Sequence, residues 1–178
     1  MKKFLKKILF FSLVGIYFLT IEKSHSIIPY YYFPTPKNIQ KDSLSIGKNA
    51  YQLLYFGQYK ESLNLAKLAT KINAKEVKLW LILSEAQVAN KQYNNALDSL
   101  KKAQKINSGI SDIYFAKSSI YFQTSKIQEA RTALETGLRI DPNNHKAIFQ
   151  LGNILLMEKN YSEAIKLFDR FQVIFFHQ

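Results

Sequence analysis

Cysteine is absent from the 178 residues. That one absence removes disulfides, thiolate zinc sites, iron–sulfur clusters and cysteine nucleophiles, and leaves the redox compartment open. Histidine is scarce, and His25, His145 and His177 never form a spaced pair. The six glycines include no G-x-G or P-loop array, so the chain has no phosphate cradle. These gaps argue against metal and cofactor enzymes, and no cofactor is expected.

Hydrophobic residues make up 47% of the chain and charged residues 21%, enough apolar side chain to bury a core. The net charge of +12 divides into +4 over residues 1–26 and +8 over the rest. Such an excess suits an anionic partner, either nucleic acid or a lipid surface. Codons of an A+T-rich genome, which favour Lys, Asn, Ile, Phe and Tyr, explain it as well.

The N-terminus reads as a membrane signal over residues 1–26. Lys2, Lys3, Lys6 and Lys7 precede a run from Ile8 to Ile21 without a charge. As a helix this run rises about 21 Å, short of a hydrocarbon core of roughly 30 Å. Two readings stay open. A secretory signal would be cleaved near Ser26, after Ser24-His25-Ser26. An uncleaved anchor would extend through Phe4 and Leu5, with Tyr30, Tyr31, Tyr32 and Phe33 at headgroup level. The lysines before the run favour sending the body across the membrane. Residues 27–42 hold Pro29, Pro34 and Pro36, three of the four prolines, and read as a short semi-rigid stalk.

The body, 43–178, tiles into units of 34 residues: 43–76, 77–110, 111–144 and 145–178. The eighth position is small in each unit (Ala50, Ser84, Ser118, Gly152), as is the twentieth (Ser62, Ala96, Ala130, Ala164). Position 27 is Ala69, Ala103 and Gly137, then departs to Phe171, and position 30 is always isoleucine. Ile46, Trp80, Tyr114 and Ile148 fill position 4. Small residues at 8 and 20 let two antiparallel helices approach, and large ones fill the remaining space. A single hairpin cannot bury its own apolar face, so the units must stack into an all-α solenoid of four hairpins.

This pattern resembles the tetratricopeptide repeat family. The fourth unit carries it best, with Leu151-Gly152-Asn153, Tyr161, Glu163-Ala164 and Phe168. Asn49 and Lys117 depart from the family's leucine at position 7, and Ser108 from its proline. The resemblance implies that the first helix of each unit lines a concave groove. That groove would present Tyr51, Leu54, Tyr55, Leu81, Ile82, Val88, Phe115, Phe122, Phe149, Leu156 and Met157. An apolar, aromatic groove suits an extended hydrophobic segment or an amphipathic helix. Aromatic residues at some of these positions also serve simply to close the inner wall. Chaperone-binding members hold a C-terminal carboxylate with a clamp of Lys, Asn and Arg. Gly47, Tyr51 and Ala116 stand at the corresponding places, so that clamp is missing.

Lys67, Lys71, Lys75, Lys101, Lys102 and Lys105 read onto second helices, as a solvated face or a contact with anionic headgroups. The last helix, with Phe168, Phe171, Val173, Ile174, Phe175 and Phe176, lacks a polar cap, so packing against a partner, a second copy or lipid is expected there. Glu158, Glu163 and Asp169 read as solvent-facing acids. His145 beside Asp141 falls in a turn, and no catalytic constellation emerges. Aromatics at core or groove positions also leave no platform for nucleic acid.

The chain therefore reads as a non-catalytic scaffold that binds protein at a membrane. One apolar segment, a stalk and a terminal array together resemble the plastid and cyanobacterial members that assist photosystem I assembly. That resemblance implies a thylakoid location, an uncleaved anchor with the repeats on the stromal or cytoplasmic side (against the lysine rule), and transient binding to photosystem I subunits or their intermediates. The alternative is a bacterial adaptor for envelope assembly, exported or held in the inner membrane.

Overall fold

The computed structural model describes residues 39–176, with described side chains from Asp42 to Val173. The membrane segment 1–26 and the stalk as far as residue 38 lie outside the described residues. Within them no helix is long and apolar enough to cross a membrane.

Eight α-helices follow one another: α1 (Ile39–Tyr55), α2 (Tyr59–Ile72), α3 (Val77–Ala89), α4 (Tyr93–Ile106), α5 (Ser111–Gln123), α6 (Ile127–Ile140), α7 (His145–Met157) and α8 (Tyr161–Phe176). From Val77 onward the first helices open at the first position of each 34-residue unit, and all four second helices open at its seventeenth. The helix α1 starts earlier than this, at Ile39.

Small side chains let each hairpin close. Ala50, Ser62, Ala96, Ala130 and Ala164 are wholly buried between their paired helices. Buried hydroxyls at these places need acceptors, and they find main-chain carbonyls. Ser62 donates to the Ala50 carbonyl across the first hairpin at 2.7 Å. Ser84 and Ser118 donate within their own helices, to Leu81 and Phe115, at 2.7 and 2.8 Å. At Gly152 hydrogen is required, because a β-carbon there would stand 2.7 Å from the Phe168 ring.

Each hairpin turns through one left-handed residue at position 15: Gly57, Lys91, Ser125 and Lys159, with φ between 59° and 73°. Around it the helix ends in paired bonds, Gln58 N–H to the Leu53 carbonyl and Gly57 N–H to Leu54, repeated in the other three units. This is the Schellman arrangement, which satisfies carbonyls that the helix end leaves open. Only the first unit uses glycine for it.

The turns between units are also held by a common device. The Trp80 indole N–H donates to the Ala74 carbonyl at 2.8 Å, and the Tyr114 hydroxyl to Ser108 at 3.0 Å. Arg170 donates to the equivalent carbonyl, that of Pro142. Each donor comes from the following unit, so the bond ties neighbouring hairpins together. The repeat register predicts only a space-filling role for Trp80 and Tyr114.

A second tie joins the last two hairpins. Arg131 on α6 contacts Glu158 at 2.6 Å and Glu135 at 2.8 Å, and Gln128 donates to the other Glu158 oxygen at 2.8 Å. Glu158 is therefore not a solvent-facing acid: its side chain is 19% exposed, because Arg131 and Gln128 cover it. The bonds to Glu135 and Glu158 hold the Arg131 guanidinium above its ordinary range.

Candidate functional site: an inner groove across α3, α5 and α7

First helices form one side of the array, with α1 resting on α3 and α3 on α5. Gly47 brings α1 and α3 together: a β-carbon there would meet Leu79 Cδ2 at 2.5 Å and Ile82 Cδ1 at 3.4 Å. At that point the two helices are in direct contact. Ile82 and Leu54 are half-buried and pack on the core around Ala50, Leu63, Leu83 and Ala86, so they are wall rather than groove. Tyr51 is exposed, and Tyr55, 86% exposed, meets Phe56 edge-on at 5.6 Å.

Further along, the first helices separate and two hollows open. One, of ≈ 500 Å³, lies between α3 and α5, walled by Leu81, Val88 and Phe115 with Glu85 and Asp112. The other, of ≈ 340 Å³, lies between α5 and α7 and reaches down to Ala130 and Leu134 on α6. Phe122 and Phe149 stand on its sides, beside the carboxamides of Gln123, Gln150 and Asn153. Ser119 borders both hollows, so they form one groove crossing α5.

The structure thus brings together Leu81, Val88, Phe115, Phe122 and Phe149 from the residues that the register placed on the inner face. Leu156 and Met157 are exposed at the end of α7 and line neither hollow. Phe122 is 51% exposed and Phe149 45%, the latter because Phe168 and Phe171 hold its ring at centroid distances of 5.8 and 5.3 Å.

Sequence reasoning missed the polar groove residues: Ser119, Gln123, Gln150 and Asn153, and the acids Glu85 and Asp112. Burial pushes the Glu85 carboxyl above its ordinary range, and the Asp112 charge adds to the effect. The Glu85 side chain is nevertheless solvent-exposed, so the effect is a modest one. Asp112 lies in the first turn of α5, where the helix end favours an acid.

The opposite face is basic. Lys67, Lys71, Lys75, Lys101, Lys102 and Lys105 are all exposed, with Lys75 in the turn after α2 rather than on it. Lys102 sits 4.7 Å from the Trp80 ring centroid and Lys101 3.1 Å from Asp98. Lys117, where the family has leucine, donates to Gln104 and sets its ammonium 5.8 Å from the Tyr114 ring centroid. Burial, then the nearby Lys101 charge, lowers its affinity for a proton. Among the described residues no group of His, Asp and Glu is placed to hold a metal.

Comparison with known proteins agrees with the fold. Tetratricopeptide-repeat family models match residues 77–109 and 121–171. The formate-dependent nitrite reductase complex subunit NrfG of Escherichia coli O157:H7 is 26% identical over 121 residues, 65% of this chain and 61% of that relative. The chain thus spans about three-fifths of that relative's length. The crystal structure of MamA superposes with a TM-score of 0.68 at 19% identity, covering 75% of this chain and 78% of that one. The first tetratricopeptide domain of Spaghetti (RPAP3), bound to the HSP90 peptide SRMEEVD, gives 0.63 at 19% identity, covering 67% and 95%. None of these names refers to photosystem I. Residues 77–109 and 121–171 are tetratricopeptide repeats, and the eight described helices have the fold of a tetratricopeptide array.

Proposed function

We propose that the chain is a non-catalytic scaffold that holds a segment of another protein in the groove across α3, α5 and α7. The carrying observation is the hollow between α5 and α7, with two half-exposed phenylalanines beside three carboxamides. Rings supply apolar contact to side chains, and carboxamides can both donate to and accept from an extended main chain.

A photo-crosslinking residue at Ser119, in the full chain and its native membranes, tests this. Crosslinks to a defined protein should form there and disappear with Phe122→Glu while the helical circular dichroism is kept. Equal crosslinking from Glu129, on another face, unaffected by Phe122→Glu, would remove the reading.

The finer reading places this scaffold at a membrane through residues 8–21. The order of apolar segment, stalk and repeats supports assistance to photosystem I assembly at a thylakoid. The same features support the bacterial envelope adaptor. Protease treatment of sealed vesicles, read with an antibody to the repeats, decides which side of the membrane holds them. Digestion without lysis favours repeats on the stromal or cytoplasmic side, and digestion only after lysis favours an exported protein.

A further inference from the structure

We propose that the hollow between α3 and α5 takes a lysine or arginine side chain of the bound segment, an inference that rests on the groove reading and adds the charge of its ligand. Glu85 enters this hollow from the middle of α3 and Asp112 from the start of α5. Among the described residues neither carboxylate has an ion-pair partner, and no lysine or arginine lines either hollow. In a chain with 25 Lys and Arg against 13 Asp and Glu, that sets the groove apart from the rest of the surface.

The helix end accounts for Asp112. Nothing comparable accounts for Glu85, whose neighbours three and four residues away are Leu81, Ile82, Val88 and Ala89. Glu85 and Asp112 are both solvent-exposed, and set together beside an apolar wall they repel each other. An entering cation relieves that repulsion, and an anion adds a third like charge. A lysine or arginine also fits by shape, with its methylenes along Leu81 and Val88 and its charged head at the acids. A segment continuing past Ser119 then sets its next apolar side chain between Phe122 and Phe149. The same charges disfavour an acidic tail such as SRMEEVD, the peptide held by the RPAP3 domain.

The probes are three short fluorescent peptides, capped at both ends, with identical leucine and phenylalanine positions. The central residue is arginine, its uncharged isostere citrulline, or glutamate. Each is titrated against the full chain in detergent by fluorescence anisotropy. The arginine peptide should bind about tenfold more tightly than the citrulline peptide, and the glutamate peptide weakest. The net positive charge of the chain works against this order, so general attraction cannot produce it. Glu85→Gln with Asp112→Asn should erase the arginine preference and leave citrulline binding intact, while Phe122→Ala weakens all three. Equal binding of arginine and citrulline, lost with Phe122→Ala, overturns the cation inference and keeps the groove. An arginine preference that survives the double substitution overturns it too. If no peptide binds, or Phe122→Ala changes nothing, the groove reading falls and this inference with it.

Discussion

Gly137 lies flat against the ring of Phe115, so close that a β-carbon at 137 would stand 2.4 Å from Phe115 Cε1. One unit later the same two places hold Phe171 and Phe149, whose rings pack at 5.3 Å. Glycine lets Phe115 sink toward α6. Phenylalanine instead holds Phe149 out, where it lines the second hollow. Gly137→Ala should therefore cost about 1–3 kcal/mol, as overpacking does, and turn Phe115 toward the groove. Chemical denaturation gives the first quantity and the Phe115 ring resonances the second. An unchanged midpoint would mean that the ring yields freely.

The four left-handed turn residues allow a backbone test. Gly57 has φ 73° and open space where a β-carbon would go. Gly57→Ala should thus lose about 1 kcal/mol through conformation alone. Ser125→Asn, at φ 60°, should raise the urea midpoint slightly, since asparagine tolerates this region better. Both changes should leave the urea dependence of unfolding unaltered. A neutral Gly57→Ala would sink the argument.

At the junction of the last two hairpins, Glu158→Ala leaves Arg131 and Gln128 without their shared acceptor. The expected loss is about 1–2 kcal/mol, more than an exposed pair contributes. Arg131→Met and Glu158→Ala together should cost less than the sum of the two single changes. Strict additivity in the double-mutant cycle would show that the contact carries no coupling.

Glu85 makes a pH-dependent prediction. Its carboxyl binds a proton more tightly folded than unfolded. Folding is therefore favoured below the unfolded value, and that contribution is lost as pH rises through the raised folded value. Glu85→Gln should stabilise the chain at neutral pH, and the gain should shrink on acidification through that window. A gain independent of pH would place its cause elsewhere.

The small residues at positions 8 and 20 made the hairpins legible in sequence, because close helix approach leaves few alternatives. Phe122 and Phe149 were legible by register. Leu54 and Ile82 shared that register yet pack inward, since their place depends on how closely α1 and α3 approach at Gly47. Glu85 and Asp112 look ordinary alone, and only stacking brings them to one hollow. Lys91, Ser125 and Lys159 hid the turn chemistry because a left-handed residue costs little beside the bonds it completes. Trp80, Tyr114 and Arg170 share a geometric task and no side-chain type, so no pattern of letters reveals it.

The chain has a single tryptophan, and Trp80 spends its indole N–H on a carbonyl of the preceding hairpin. Its emission therefore reports the docking of the first hairpin on the second, and neither hairpin's own helicity. Fluorescence and circular dichroism thus observe different events in this protein. Where their unfolding curves separate, the gap measures the loosening of one junction while the hairpins on either side persist.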